Sequence, residues 1–85
     1  MASVFLYTTA ACPYCVAAER LLRARGASDV VKIRVDLDPR KQEEMISRSG
    51  RRTVPQVFVA DNHLGGYDDL LVLDSEGRLA QLLMS

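Results

Sequence analysis

The most reactive side chains of this chain belong to its two cysteines, which lie close together as Cys12 and Cys15. Pro13 follows Cys12 directly, and proline is favoured at the first position of an α-helix. Cys12 is therefore predicted to be the N-cap residue, where its sulfur can accept hydrogen bonds from the N–H groups of Tyr14 and Cys15. These donors and the positive end of the helix dipole favour a thiolate, which is the nucleophile in disulfide exchange. The pattern predicts a redox-active pair in which Cys12 attacks and Cys15, one turn inside the helix, resolves the product.

A structural disulfide, a zinc site and a pair of unreactive thiols are all less consistent with the sequence. A structural disulfide would close a loop of only four residues, for which chain entropy gives about 2 kcal/mol. A structural zinc site needs about four ligands, whereas the chain offers two cysteines and one histidine, His63. Two unreactive buried cysteines would leave the proline at the helix start unexplained. Redox chemistry without a metal is therefore the favoured interpretation.

The length and composition indicate one small globular domain. The chain has 85 residues, near the lower end of what a single core can stabilise, so residues 1–85 are predicted to form one domain. Eleven Lys and Arg balance eleven Asp and Glu, which gives no indication of nucleic acid or a membrane surface as partner. The N-terminal residues contain no basic leader, and their apolar run is too short for a signal peptide or a membrane span. We therefore expect a cytoplasmic protein, in a compartment where structural disulfides are uncommon.

The hydrophobic pattern predicts the elements that position the two cysteines. Strands are predicted at 4–7, 30–35, 56–60 and 63–64, and helices at 13–25, from 39 to an end at Gly50, at 68–74 and at 79–84. Asp61 and Asn62 predict a tight turn between the last two strands. The first two strands need a parallel pairing around a helical crossover, whereas the tight turn needs an antiparallel pairing. The prediction is an α/β fold of order β-α-β-α-β-β-α, with a four-stranded mixed sheet and helices on both faces.

Three short motifs follow one another along the chain: Cys12-Pro13-Tyr14-Cys15, Thr53-Val54-Pro55 and Gly65-Gly66-Tyr67-Asp68-Asp69-Leu70. Together they resemble the glutaredoxin family, close to its short bacterial members with two cysteines, and the likeness covers nearly the whole chain. Thioredoxins usually carry Trp-Cys-Gly-Pro-Cys, and this chain has no Trp. The glutaredoxin-like proteins that accept electrons from thioredoxin reductase lack the Gly-Gly-x-Asp-Asp element, which this chain has. The resemblance implies a thioredoxin-like fold in which three main helices flank the sheet.

The resemblance implies that glutathione is the co-substrate and that Val54–Pro55 is a cis peptide bond facing the two cysteines. The N–H and C=O of Val54 would pair with the cysteinyl part of glutathione and hold its sulfur over Cys12. Thr53 and Pro55 flank this contact. The alternative interpretation is that Pro55 only begins a strand, which is also a tolerated position for proline.

The resemblance also implies binding sites for the two ends of glutathione. At the γ-glutamyl end, Gly66 allows a close approach, N–H groups near Asp68 bind the carboxylate, and the Asp69 side chain faces the ammonium. An ordinary Gly-Gly turn followed by an Asp N-cap is the alternative interpretation of this segment. At the other end, Gln42 matches the position that binds the glycyl carboxylate, and Tyr14 lines the groove.

Several positions near these motifs differ from the family pattern or have no assigned role. Many relatives carry Lys where this chain has Thr9, so one cation is missing from the site. Arg48, Arg51 and Arg52 could compensate electrostatically, although each alone is expected to be a solvated surface charge. His63 is predicted to be a strand residue without a catalytic role.

The activity that the resemblance implies is that of a glutathione-dependent thiol–disulfide oxidoreductase, acting as a monomer on glutathionylated or disulfide-containing proteins. Nucleic acid, membranes and metals are not expected as partners. One rival function is a thioredoxin-like enzyme reduced by a flavoprotein reductase. The other is a non-enzymatic carrier of a [2Fe–2S] cluster, held between two chains by Cys12 and two glutathiones. Pro13 argues against the carrier because it stiffens the loop around Cys12.

Overall fold

The computed structural model describes residues 3–84, which form four strands and four helices. In chain order these are β1 (Val4–Thr8), α1 (Pro13–Ala24), β2 (Val30–Arg34), α2 (Pro39–Ser49), β3 (Gln56–Val59), β4 (Asn62–Gly65), α3 (Tyr67–Ser75) and α4 (Leu79–Met84). The predicted element order is confirmed, with α4 as the short helix expected after the third. A single domain over 1–85 stays a prediction, since residues 1, 2 and 85 lie outside the described part. No helix within 3–84 is long and apolar enough to cross a membrane.

The four strands form one mixed sheet in the order β2-β1-β3-β4. β1 pairs with β2 in parallel, and the pairings of β1 with β3 and of β3 with β4 are antiparallel. This confirms the predicted thioredoxin-like fold with a mixed four-stranded sheet. The strand directions bring the end of β1, the start of β3 and the end of β4 to the same end of the sheet. The three sequence motifs follow or precede these strand ends, so the fold gathers them in one region.

Helices cover both faces of the sheet, as predicted, because residues of a strand alternate between its two faces. On one face α1, α3 and α4 pack against the strands, and the buried residues are Val4, Leu6, Ala18, Leu22, Ala27, Val57, Val59, Leu64, Leu70, Leu79 and Leu83. On the other face α2 packs against the sheet, and the buried residues are Tyr7, Val35, Met45 and Phe58. Leu6 and Tyr7, neighbours in β1, therefore lie in different cores.

The turn between β3 and β4 lies one residue earlier than predicted. Val59 pairs with Asn62, so Ala60 and Asp61 form the turn and Asn62 is already in the strand. Ala60 has a φ of +53°, in the left-handed region that alanine seldom adopts. The register shifts between Val57, which pairs with Gly65, and Phe58, which pairs with His63, and Leu64 between these partners is buried in the core.

Helix α3 also begins one residue earlier than predicted, at Tyr67 instead of Asp68, with Gly66 as its N-cap residue. The Asp69 carboxylate accepts a hydrogen bond from the Gly66 N–H, with an N–O distance of 2.9 Å. Asp69 is the third residue of the helix, and an acidic side chain at this position commonly reaches back to the N-cap backbone. The alternative in which an Asp is the N-cap is therefore wrong.

Candidate active site

The two cysteines lie at the start of α1, where the predicted N-cap arrangement is confirmed. Cys12 is the N-cap residue and has extended backbone angles, with φ of −131° and ψ of 101°, and Pro13 is the first helical residue. The Cys15 N–H donates a hydrogen bond to the Cys12 sulfur at 3.2 Å. The second predicted donor was wrong: within residues 3–84, the Tyr14 N–H makes no hydrogen bond to that sulfur. The helix start thus directs one N–H and its positive dipole end at Cys12.

The two sulfur atoms differ in their exposure to solvent. Both cysteines are free, and Cys12 is partly exposed, whereas Cys15 is buried with 3% exposure. Burial, together with the neighbouring Cys12, raises the pKa of the Cys15 thiol, and hydrogen bonds from the Thr8 side chain and the Thr9 backbone oppose this effect in part. Cys15 is therefore held as a protonated thiol behind the more accessible sulfur of Cys12.

A cleft of about 220 Å³ lies next to the start of α1. It is lined by Tyr14, Arg51, Thr53, Val54, Pro55, Gln56, Gly66, Tyr67, Asp68 and Asp69. All residues predicted for the glutathione groove line this cleft except Gln42, which is exposed on α2. Cys12 itself does not line the cleft. Tyr14, which lies between the two cysteines in the chain, does line it, and its ring contacts that of Tyr67 with 6.2 Å between the centroids. The structure thus brings the three sequence motifs around one small cleft.

The segment before β3 forms one wall of the cleft. The Val54–Pro55 peptide bond is cis, as the resemblance implies. Neither the N–H nor the C=O of Val54 has a hydrogen-bond partner within residues 3–84, so both can pair with a ligand. On the facing segment, a Cβ atom on Gly66 would lie 3.1 Å from the Pro55 carbonyl oxygen, so the absence of a side chain lets the two walls approach closely.

A buried glutamine, which was not predicted from the sequence, supports the same segment. Gln56 is 1% exposed, and its amide nitrogen donates to the Thr53 carbonyl oxygen at 3.0 Å. Its amide oxygen accepts from Nε2 of His63 at 2.7 Å, so His63 carries its proton on that nitrogen. Burial lowers the pKa of His63, which favours this neutral form. The available signal was a polar residue at the start of the apolar strand β3.

The opposite wall carries an ion pair that was not predicted. Arg51 donates from Nη1 to Oδ2 of Asp69 at 2.7 Å, the same oxygen that accepts the Gly66 N–H. The Arg51 hydrogen bond, with the Gly66 N–H, lowers the pKa of Asp69 below its ordinary value. Arg51 is nearly half exposed, as expected for a surface charge, but it also forms an ion pair with Asp69. Asp68, by contrast, is exposed at the cleft rim.

Arg48 and Arg52, the other two arginines that could compensate for the missing cation, lie outside the cleft. Arg48 donates to the Tyr7 hydroxyl at 2.8 Å, and its guanidinium carbon lies 4.0 Å from the centroid of the Phe58 ring. Arg48 is exposed, as expected for a surface charge, and it also contacts Tyr7 and Phe58 of the core on the α2 face. Arg52 is exposed and has no side-chain partner within residues 3–84, as expected.

No cluster of three or more His, Cys, Asp or Glu side chains is positioned to hold a metal ion within the described residues. The two free cysteines, with Cys12 partly exposed at the helix start, give the site groups for thiol chemistry. The cleft beside it offers unpaired backbone groups and a charged pair of opposite signs. Such a combination suits a small peptide-like thiol with charged ends.

Comparison with known proteins shows extensive similarity. The sequence profile of the glutaredoxin family matches residues 4–64. Glutaredoxin 3 of Escherichia coli (strain K12) is 49% identical over 83 residues, covering 98% of this chain and 99% of the relative. A glutaredoxin of Neisseria meningitidis serogroup A is 47% identical over 83 residues, covering 98% of both chains.

Solved structures show the same relationship. The solution structure of glutaredoxin from Brucella melitensis has a TM-score of 0.84 at 44% identity, covering 98% of this chain and 89% of that one. The crystal structure of a buckwheat glutaredoxin–glutathione complex has a TM-score of 0.87 at 27% identity, covering 98% of this chain and 77% of the buckwheat chain. Sequence and structure agree over nearly the full length, and the chain belongs to the glutaredoxin family of thiol–disulfide oxidoreductases.

Proposed function

We propose that this chain is a glutathione-dependent oxidoreductase that reduces protein disulfides and mixed disulfides between proteins and glutathione. The observation that carries the proposal is the position of the Cys12 sulfur, which accepts a hydrogen bond from the Cys15 N–H at a helix start beside the cleft. The buckwheat relative was solved in complex with glutathione, which supports the choice of ligand. We further propose that the protein acts as a monomer in the cytoplasm.

The first reaction uses Cys12 alone. Its thiolate attacks the glutathione sulfur of a mixed disulfide, so a new bond joins Cys12 to glutathione while the target thiolate leaves and takes a proton from water. A second glutathione thiolate then attacks the glutathione sulfur bound to Cys12. The products are oxidised glutathione and the original Cys12 thiolate, so two electrons pass from glutathione to the target.

The second reaction uses both cysteines on a target with an internal disulfide. Cys12 attacks one target sulfur and forms a mixed disulfide, releasing the other target sulfur as a thiolate. Cys15 then loses its proton, attacks the Cys12 sulfur and releases the second target thiolate. The burial of Cys15 and its raised pKa suit it to this second step, because a protonated thiol does not compete for the incoming disulfide. Two glutathiones reduce the resulting Cys12–Cys15 disulfide.

The cleft supports a specific placement of glutathione. Its cysteinyl part would pair with the free N–H and C=O of Val54, with Thr53 and Pro55 on either side. Its γ-glutamyl end would lie at the start of α3, where Gly66, Asp68 and Asp69 line the cleft. The ring of Tyr14 closes the side nearest to the dithiol.

The glycyl carboxylate would extend beyond the cleft toward α2 and Gln42. This contact remains a prediction, since Gln42 does not line the cleft.

Single substitutions of the two cysteines test the proposed roles. In a deglutathionylation assay coupled to glutathione reductase, Cys15→Ser should retain activity, because the first reaction needs only Cys12. Cys12→Ser should reduce activity to background, because a serine hydroxyl is not ionised near neutral pH. Thermal unfolding of both variants controls for folding. Activity that survives in Cys12→Ser and disappears in Cys15→Ser would contradict the assignment.

The electron donor and the colour of the protein test the two rival functions. Turnover with glutathione and glutathione reductase, but not with thioredoxin reductase, is expected. Protein purified without oxygen should be colourless, since a [2Fe–2S] cluster would give it a brown colour. Reduction by thioredoxin reductase alone would favour the thioredoxin-like rival instead.

A further inference from the structure

The ion pair between Arg51 and Asp69 lies in the cleft wall at the start of α3. Both side chains are nearly half exposed, at 47% and 43%, so the pair is accessible to a ligand. Oδ2 of Asp69 accepts both the Arg51 and the Gly66 hydrogen bonds, whereas Oδ1 accepts none within residues 3–84. Arg51 uses only Nη1 for the pair, and its other guanidinium N–H groups have no partner among the same residues. The pair therefore presents one free carboxylate oxygen and several free donors side by side.

This arrangement has a consequence for the charge of a bound ligand. A ligand with only an ammonium would place a second cation beside Arg51 when it binds Asp69. A ligand with only a carboxylate would place a second anion beside Asp69 when it binds Arg51. A ligand with both groups on one carbon can give its ammonium to Asp69 and its carboxylate to Arg51. The four charges then alternate in sign, and each new contact is a charge-assisted hydrogen bond.

We propose that Arg51 is a specificity-determining residue that, with Asp69, selects thiols carrying a free α-amino acid group, such as the γ-glutamyl end of glutathione. The inference rests on the glutathione-dependent function proposed above and adds a residue to its binding site. Exposed ion pairs contribute little to folding stability, so replacement of Arg51 should leave the free energy of unfolding nearly unchanged.

A structural role is the competing interpretation, because Arg51 also ties the segment before β3 to the start of α3. The two roles predict different effects of an Arg51 substitution on ligands with and without the α-carboxylate. A structural tie would affect all ligands of the cleft to the same extent. A specificity role would affect only those ligands that carry the carboxylate, and this difference can be measured as a coupling between residue and ligand group.

The experiment measures kcat/KM for mixed disulfides of one peptide with three thiols. The first is glutathione, the second is glutathione without its α-ammonium (glutaryl-cysteinyl-glycine), and the third lacks the α-carboxylate (γ-aminobutyryl-cysteinyl-glycine). The proteins compared are the wild type, Arg51→Gln, Arg51→Lys and the matched control Arg25→Gln. Arg25 also pairs with an aspartate of α3, Asp74, with 2.9 Å between Nη2 and Oδ2, but lies outside the cleft.

The wild type should use glutathione at least about tenfold better than either analogue, the size expected for one charge-assisted contact. Arg51→Gln should lose about tenfold with glutathione, mainly through KM, and should no longer distinguish glutathione from the analogue without the carboxylate. Arg51→Lys should recover part of the loss, because it keeps the charge but not the planar geometry. Arg25→Gln should behave as the wild type. The rate of Cys12 alkylation by iodoacetamide should be the same in all four proteins.

Three results with Arg51→Gln would overturn the inference. Unchanged kinetics in Arg51→Gln would show that the guanidinium does not contact the ligand. A gain with glutathione would show that Arg51 competes with the ligand for Asp69. An equal loss with all three thiols would show a structural role. If the wild type itself does not prefer glutathione to the two analogues, while using it as a reductant, this inference alone fails. If the wild type does not use glutathione at all, the proposed function fails with it.

Discussion

Replacement of Gln56 by methionine tests how the cleft wall before β3 is held in place. Methionine has a similar length and flexibility but can neither donate to Thr53 nor accept from His63. The lost hydrogen bond to the exposed Thr53 should cost about 1 kcal/mol. The His63 N–H, which is partly buried, would lose its partner at a cost of about 1–2 kcal/mol. The total is about 2–3 kcal/mol of unfolding free energy, or a decrease in Tm of about 8–24 °C for a domain of this size.

The same substitution should weaken ligand binding without changing the reactive sulfur. Because Gln56 fixes the carbonyl of Thr53, one residue before the free backbone groups of Val54, its loss should raise KM for glutathione mixed disulfides. The alkylation rate of Cys12 should not change, since Gln56 makes no hydrogen bond to the dithiol. Urea unfolding and steady-state kinetics measure the two effects. Gln81→Met, at an exposed position of α4, is the matched control. It should change the free energy of unfolding by no more than about 0.5 kcal/mol and should leave KM unchanged.

A thermodynamic cycle with His63→Leu separates the hydrogen bond from general packing. The two substitutions should be non-additive, because each removes the same contact, and the double variant should be less destabilised than the sum of the single variants by about 1–2 kcal/mol. Additive effects, or a Gln56→Met variant as stable as Gln81→Met, would refute the role assigned to this buried network.

Two further substitutions and one pH profile follow from the same structure. Gly65→Ala should destabilise the protein by about 3 kcal/mol and raise KM, because φ is +109° and the new Cβ would lie 2.6 Å from Cβ and Cγ of Asp69. Gly77→Ala, with φ of +73° and nothing within 4 Å, should cost only about 1 kcal/mol, and equal unfolding free energies for the two variants would contradict the steric argument. The attacking Cys15 thiol has a raised pKa, so it ionises at a higher pH than an ordinary thiol does. Formation of the Cys12–Cys15 disulfide from the Cys12–glutathione adduct should therefore continue to accelerate above the pH at which an ordinary thiol is ionised. Quenched samples analysed by mass spectrometry measure this rate, and a plateau already below pH 7 would show that Cys15 is not the group whose ionisation limits the step.

Local sequence determined the chemistry of the dithiol and most of the fold. The Cys12 N-cap could be predicted because Pro13 sets the helix start within one residue, and helix capping depends on neighbours in the chain. Element order and the mixed sheet could be predicted for a similar reason, since hydrophobic periodicity and turn residues are local signals. The cis bond at Val54–Pro55 came from the family resemblance, because composition and spacing do not predict it.

Only the tertiary structure determined which polar groups meet in the cleft walls. Arg51 and Asp69 are 18 residues apart in the chain, and their contact requires the segment before β3 and the start of α3 to be packed together. Gln56 contacts His63 because β3 and β4 pair as a hairpin. In this hairpin Val59 pairs with Asn62, so the turn lies at Ala60 and Asp61. A side chain's charge can be read from its type, but its partner depends on strand pairing and burial along the whole chain. For this reason Arg48, Arg51 and Arg52 looked equivalent in the sequence, while only Arg51 lies in the cleft.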